Sequence, residues 1–478
     1  MRTVSRTWAL VAVSLATFMT YLDNNIVNVA IPAIQRDLHL STAGLEWVVS
    51  GYILVFASLL LAGGRLGDIF GRRRLFLLGL GIFTGASLVA GLAGSVDVLV
   101  ASRAVQGLGA ALVTPTTLAI ISSSYPDPRE RTAAVGIWSG VGALALAVGP
   151  LLGGLISQHV AWGWIFFINV PVGVATMVLG LWAIPAEKLA TTRERIDLPG
   201  LGTSALTLFA LTYALIEGHD KGWTSPAIVT SFAVSAVAAI AFALVEARTA
   251  QPMVDVRLFA ERVFSGGITA IVMWGFGLFG IYFFTSLYLQ NVLGFSPTVA
   301  GAAFVPMALL MAVGAVVSER VATRVGPHRA VGVAMLLMAI GIATISLLGR
   351  NAPYLELMPS FAIIGIGGGL SVPLTAMVLG AMPVEQAGVA SGIFNAAREV
   401  AGLLGITVIG AVLTSRQGAA LRGGSDPVGA FLSGYRSGLL VAAVLVAAGG
   451  IAAYLALRNT TQRDQTLESE LAEPMLVG

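Results

Sequence analysis

The sequence predicts an all-α polytopic membrane protein, on three observations. Of 478 residues, 56% are hydrophobic and only 11% charged, where an ordinary soluble domain carries about 25% charged residues. The mean hydropathy is +0.88. Apolar runs repeatedly reach the roughly 20 residues that cross hydrocarbon, and the ten-residue alternating segments of a membrane barrel do not occur.

Breaks at glycine, proline and charge divide the chain into 14 predicted spans: 8–30, 44–64, 75–94, 97–121, 133–157, 163–184, 199–217, 227–246, 264–288, 298–318, 330–348, 355–380, 387–413 and 435–457. The first run is too long for a cleavable signal peptide and lacks a small-residue cleavage site. Alternating the spans from a cytoplasmic N-terminus puts 19 Lys/Arg in cytoplasmic segments and six in outer ones. That positive-inside bias predicts both termini in the cytoplasm.

The short loop GGRLGDIFGRRRLF (63–76) has a degraded counterpart in SERVATRVGPHRAV (318–331). They fall at equivalent places if spans one to six repeat as spans nine to fourteen. The expected organisation is an N-terminal six-helix bundle at 1–184, two inserted helices with charged flanks at 185–263, a C-terminal six-helix bundle at 264–457, and a disordered cytoplasmic tail at 458–478. Two repeated bundles about a midplane cavity are a common plan for secondary transporters.

Several chemistries are excluded or disfavoured. The chain has no cysteine, so disulfides and thiolate zinc sites are ruled out. Its four histidines are scattered among loops, and no HExxH or GxxxxGK[ST] occurs. GIGGG (365–369) follows no strand and reads as close helix packing. No enzyme activity, metal, cofactor or nucleic-acid partner is expected.

The segment MTYLDNNIVNVAIP (19–32) places Asp23 inside an apolar span. Arg103 lies at matching depth in span four, roughly 10 Å below the outer surface at about 1.5 Å per residue. A lone Asp or Arg at a helix centre costs about 2.5–3.5 kcal/mol, and an opposed pair offsets part of that. Two readings are open: a static or snorkelling ion pair, or a proton site whose affinity changes as a cavity opens and closes. Arg398 and Glu399 form a second intramembrane pair in NAAREVAGLLG (395–405). Neighbours on a helix point about 100° apart, so these two are not expected to face each other. Glu399 is the second titratable candidate, or else a structural partner of Arg398.

At these residues the chain resembles the major facilitator superfamily, and within it the fourteen-span drug:proton antiporters. The likeness covers most of the chain. GRLGDIFGRRR (64–74) is similar to the family's loop between spans two and three, which implies a gate latch using Gly64, Asp68, Gly71, Arg72 and Arg73. LVASRAVQGLGAA (99–111) is similar to the span-four motif, which implies that Arg103 takes part in proton transfer. AVGPLLGG (147–154) resembles the antiporter motif of span five. There Pro150 removes a helix hydrogen bond, and Gly149, Gly153 and Gly154 permit close packing, as a pivot or seal requires. LDNNIVNVAIP (22–32) resembles the span-one signature, with Asn25 where the family usually has Thr. WGWIFFINVPVG (162–173) resembles the entry to span six, with Gly163 where Arg is common. Glu399 stands where the family commonly has Gln.

The resemblance implies a proton-coupled exporter of small amphipathic drugs or antibiotics, driven by the proton gradient without a cofactor. The expected setting is the plasma membrane of a bacterium with a GC-rich genome. The chain is expected to act as a monomer, in contact with lipid, protons and its cargo. Asn24, Asn28, Gln106, Trp274, Tyr282 and Asn395 are the candidate cavity residues. Span nine also holds Phe276, Phe279, Phe283 and Phe284, for most of which helix or lipid packing is the simpler role. An exporter of an endogenous metabolite or lipid, or a proton-independent uniporter, are the alternatives.

Overall fold

Among the described residues of a computed structural model of the chain, fourteen helices are long and apolar enough to cross a membrane. The structure describes the backbone of residues 3–185, 197–249, 252–380, 382 and 387–472. Within those, the side chains of residues 3–5, 68, 128, 132, 387–389 and 459–472 are not described. Arg2, Lys188, Arg193, Arg195 and most of the charged stretch 185–198 therefore lie outside the described residues, as do the side chains of Asp68 and Arg463.

The spans are α1 (Arg6–Leu38), α2 (Thr42–Gly67), α3 (Arg72–Gly91), α4 (Val96–Ser124), α5 (Arg129–His159), α6 (Trp164–Ala183), α7 (Leu198–Lys221), α8 (Pro226–Arg248), α9 (Arg262–Val292), α10 (Pro297–Val325), α11 (Pro327–Ile345), α12 (Tyr354–Gly380), α13 (Ala390–Arg422) and α14 (Pro427–Arg458). The face at which α1 begins and α14 ends is called the terminal side, and the opposite one the far side. No strand occurs among the described residues.

Capping fixes several helix starts. Ser41 Oγ accepts Gly44 N–H at 3.2 Å, and Asp127 Oδ1 accepts the N–H groups of Arg129 and Glu130 at 2.9 and 3.0 Å. The helices overrun the apolar segments read from sequence. α1 continues through Pro32 to Leu38, and α14 begins at Pro427. Backbone helix also runs past Arg458 to Ala472, where the sequence reading expects a disordered tail. Periodicity in hydropathy marks the hydrocarbon-facing part of a helix, and polar turns beyond it go unseen.

α2, α3 and α4 pack together, as do α1 and α5, to form the first half; α9 to α14 form the second. The halves meet along two seams, α2 against α13 and α5 against α10. The inserted helices pack on each other, and α7 lies against both α2 and α13. α8 faces outward, with Val229, Val237, Ile240 and Leu244 exposed to the lipid side.

The two loops compared in the sequence share one backbone device. Gly71 closes the helix Thr42–Phe70 that extends α2, with φ 90° and ψ 128°, and Gly326 closes α10 with φ 89° and ψ 136°. That region is open to glycine and strained for other residues. On the far side Arg350 pairs with Asp426, which holds the aspartate carboxyl below its ordinary range.

Candidate functional site

Asp23 is fully buried inside the first half, and so is Arg103. Asp23 Oδ2 pairs with Arg103 Nη1. The other carboxylate oxygen accepts Gln106 Nε2–H at 3.1 Å and Asn169 Nδ2–H at 2.7 Å. Gln106 also donates to Ser87 Oγ at 2.7 Å and accepts from Arg103 Nη1 at 3.0 Å. The guanidinium donates through Nε to the Val48 carbonyl at 3.2 Å and lies 4.4 Å over the Tyr52 ring. Helices α1, α2, α3, α4 and α6 all contribute.

Local sequence places these groups. Gln106 follows Arg103 by three residues, so both lie on one face of α4. Helix α6 breaks at Ile168 between Trp164–Phe167 and Asn169–Ala183. Pro171 has no N–H to give the Phe167 carbonyl, which favours that break. The resumed helix starts at Asn169 and brings its amide onto Asp23.

A second group of charges lies between the halves. Arg398 Nη2 donates to Glu399 Oε1 at 3.2 Å and to the Tyr21 hydroxyl at 3.1 Å. The expectation that these neighbours do not face each other is corrected here. An arginine side chain is long enough to turn back across 100° of helix.

Two adjoining cavities occupy the interface, of about 310 Å3 and about 300 Å3. Both are lined by Tyr21, Leu118, Trp138, Asn395, Arg398 and Glu399. The first reaches Gly64 and Arg65 at the terminal-side end of α2, and Met253. The second is lined by Asn24, Trp274, Phe279 and Tyr282. Trp274 Nε1 is buried without a hydrogen-bond partner. Phe276, Phe283 and Phe284 pack in the core instead.

Asn24, Asn395, Trp274 and Tyr282 line the second cavity. Gln106 and Asn28 do not, which corrects their assignment from sequence. Gln106 points into the first half because its amide completes the shell of Asp23. Asn28 donates to the Asn24 carbonyl at 3.5 Å within α1. Asp23 and Arg103 line neither cavity. Tyr21, Trp138, Ser87, Asn169 and Tyr52 were not singled out from sequence.

The far side is closed. A Cβ added at Gly154 would run into the Pro297 carbonyl, and one at Gly301 into the Pro150 carbonyl. Gln158 Oε1 accepts Thr298 N–H at 3.1 Å, and Gln290 donates to the Val29 carbonyl at 2.9 Å. Gly149 and Gly153 bring α5 onto Asn25 and Ile26 of α1. On the terminal side Arg72 donates to the Ala119 carbonyl at 3.3 Å and Arg73 to the Leu181 carbonyl at 2.6 Å. These two arginines tie α3 to α4 and α6 within the first half. Gly64 lines the cavity mouth.

Two helical halves around a cavity closed at one end define a membrane transporter. The chain matches the model of the Major Facilitator Superfamily over residues 13–406, and it belongs to that family. It is similar to the tetracenomycin C resistance and export protein of Streptomyces glaucescens, with 37% identity covering 86% of this chain and 77% of that one. It is 35% identical to a puromycin resistance protein of Streptomyces alboniger, covering 91% and 88% of the two chains. A cephamycin export protein of Amycolatopsis lactamdurans is 37% identical, covering 85% of each chain. Among solved structures, the POT family transporter PepTSo superposes with a TM-score of 0.72 at 14% identity, covering 97% of this chain and 99% of that one. That likeness concerns the fold.

Proposed function

We propose that this protein exports small amphipathic drugs or antibiotics across the plasma membrane in exchange for protons. The observation that carries the reading is the division of charge. Asp23 is sealed against Arg103 inside one half, while Arg398 and Glu399 line the cavity between the halves. With the termini in the cytoplasm, the cavity faces the cytoplasm and the glycine-lined contact of α5 with α10 is the outer seal.

The cavity suits amphipathic cargo. Trp274, Phe279 and Tyr282 offer aromatic faces, which attract cations, and Asn24 and Asn395 offer amides. A proton on Asp23 removes the negative charge that holds Arg103. The guanidinium then has only neutral partners, Gln106, the Val48 carbonyl and the Tyr52 ring. Breaking the ion pair loosens α1 from α4, and α1 is the helix whose Tyr21 reaches Arg398. Proton occupancy in the first half thereby biases the contact between halves, which is the requirement for antiport.

A second reading is export of an endogenous anionic metabolite, favoured by the cavity position of Arg398. A susceptibility panel in an efflux-deficient bacterial host decides between them. The proposal expects resistance to ethidium, puromycin or other amphipathic agents to rise several-fold, and to be lost with Asp23→Asn. No change for any agent contradicts it.

A further inference from the structure

A carboxyl group outside both charge clusters has no place in the mechanism above. Glu46 lies in the first turn and a half of α2, near the far side, and is 2% exposed. Its Oε2 is buried without a hydrogen-bond partner. It points across the seam at Gly410 of α13, where even a methyl group would collide with the carboxylate oxygens. The missing side chain at 410 makes the room that the carboxyl occupies.

Among the described residues no cation pairs with Glu46. Asp220, near the far-side end of α7, is an acid as well. Lys221 is paired with Glu217 at 3.2 Å, and Glu217 also accepts Trp47 Nε1–H at 2.9 Å. His219 lies against Gly418 of α13, about two helical turns beyond Gly410. α13 presents glycine at the point of contact. An ionised carboxylate without a partner is expensive in such a site, and the uncharged acid is the form it accommodates.

We infer that Glu46 is a second proton-binding site, distinct from Asp23, set in the seam between the halves and covered by α7. Residues 399 and 410 are eleven apart on α13, which is close to three full turns. Glu46 therefore meets the same face of α13 that carries Glu399, about 16 Å nearer the far side at ~1.5 Å per residue. Opening that end of the seam exposes Glu46 to far-side water, so it is placed to exchange its proton there. The inserted pair thereby acquires a role, because α7, lying against α2 and α13 together, keeps the acid from water while the far side is closed. Proton occupancy at Glu46 does not depend on the proposed drug export; its use in transport rests on that reading.

The test is infrared difference spectroscopy on lipid-reconstituted protein at neutral pH, with thermal melting alongside. Wild type is expected to show a protonated-carboxyl stretch that disappears in Glu46→Gln and in Glu46→Met and persists in Asp23→Asn. Because the carboxyl has no partner, Met of similar length should leave Tm equal or higher, and it serves as the second variant if Gln folds poorly. An unchanged carboxyl band in the Glu46 variants overturns the inference. So does a lower Tm in both variants, which would make Glu46 a packing residue. Loss of drug resistance in Asp23→Asn is scored separately, so either proposal can fail alone.

Discussion

The Arg398 guanidinium donates to the Tyr21 hydroxyl at 3.1 Å, joining α13 of one half to α1 of the other across the cavity. Tyr21 is two residues before Asp23 on the same helix. The buried acid and the cavity charges are thus mechanically connected through one turn of α1.

Tyr21→Phe removes that link and keeps the ring. A hydrogen bond to a charged group contributes about 1.5–3 kcal/mol, so resistance conferred in cells should fall several-fold at unchanged expression. Glu399 stays bonded to Arg398, and the fold should survive, as checked by gel filtration. Full resistance in this variant would show that the link has no part in transport.

Arg103→Lys keeps the charge but not the fork. Lysine cannot reproduce the bonds to Asp23, Gln106 and the Val48 carbonyl together with the stack over Tyr52. Efflux should fall by at least about tenfold, since the loss of one charge-assisted contact alone approaches ~1.4 kcal/mol. Dye efflux rates from whole cells measure it.

Asn169→Leu strips one donor from Asp23 and one from Ser87. A buried acceptor left short of a partner costs about 1–3 kcal/mol. The melting temperature of the purified protein should fall by several degrees. Asn169→Asp puts a second carboxyl against Asp23 and should be more harmful still.

The far-side seal can be read by cross-linking, because the chain has no native cysteine. Gln158→Cys with Thr298→Cys should be joined by a short bifunctional thiol reagent, since the Gln158 side chain reaches the Thr298 backbone, with Oε1 3.1 Å from N. Adding Gly154→Val drives a side chain into the Pro297 backbone and should lower the cross-linking yield. An unchanged yield would show that α5 and α10 do not seal at this glycine.

Much of this was legible in the sequence. Hydropathy located all the spans, since only helices satisfy their own backbone in lipid. Asp23 and Arg103 stood out because a charge is costly there, and matching depth paired them. Gln106 sits three residues from Arg103, a helical neighbour, yet its amide was assigned to the cavity. Asn169 carried the same signal as Asp23, a polar side chain in an apolar run, but weakly, as a neutral amide. Ser87, Tyr21 and Tyr52 gave none: serine and tyrosine are ordinary in membrane helices, and their roles come from which helices touch. The Arg398 contact with Glu399 depends on side-chain reach, which spacing does not encode.

Proton movement in proteoliposomes tests the coupling most directly. With ethidium as the transported probe and a pH-sensitive dye trapped inside, wild type should move protons against the probe, and collapse of the pH gradient should abolish uphill transport. Asp23→Asn should still allow probe to equilibrate while proton counterflow disappears. Proton counterflow in Asp23→Asn equal to that of wild type would contradict the assignment of the α1 acid as the coupling group.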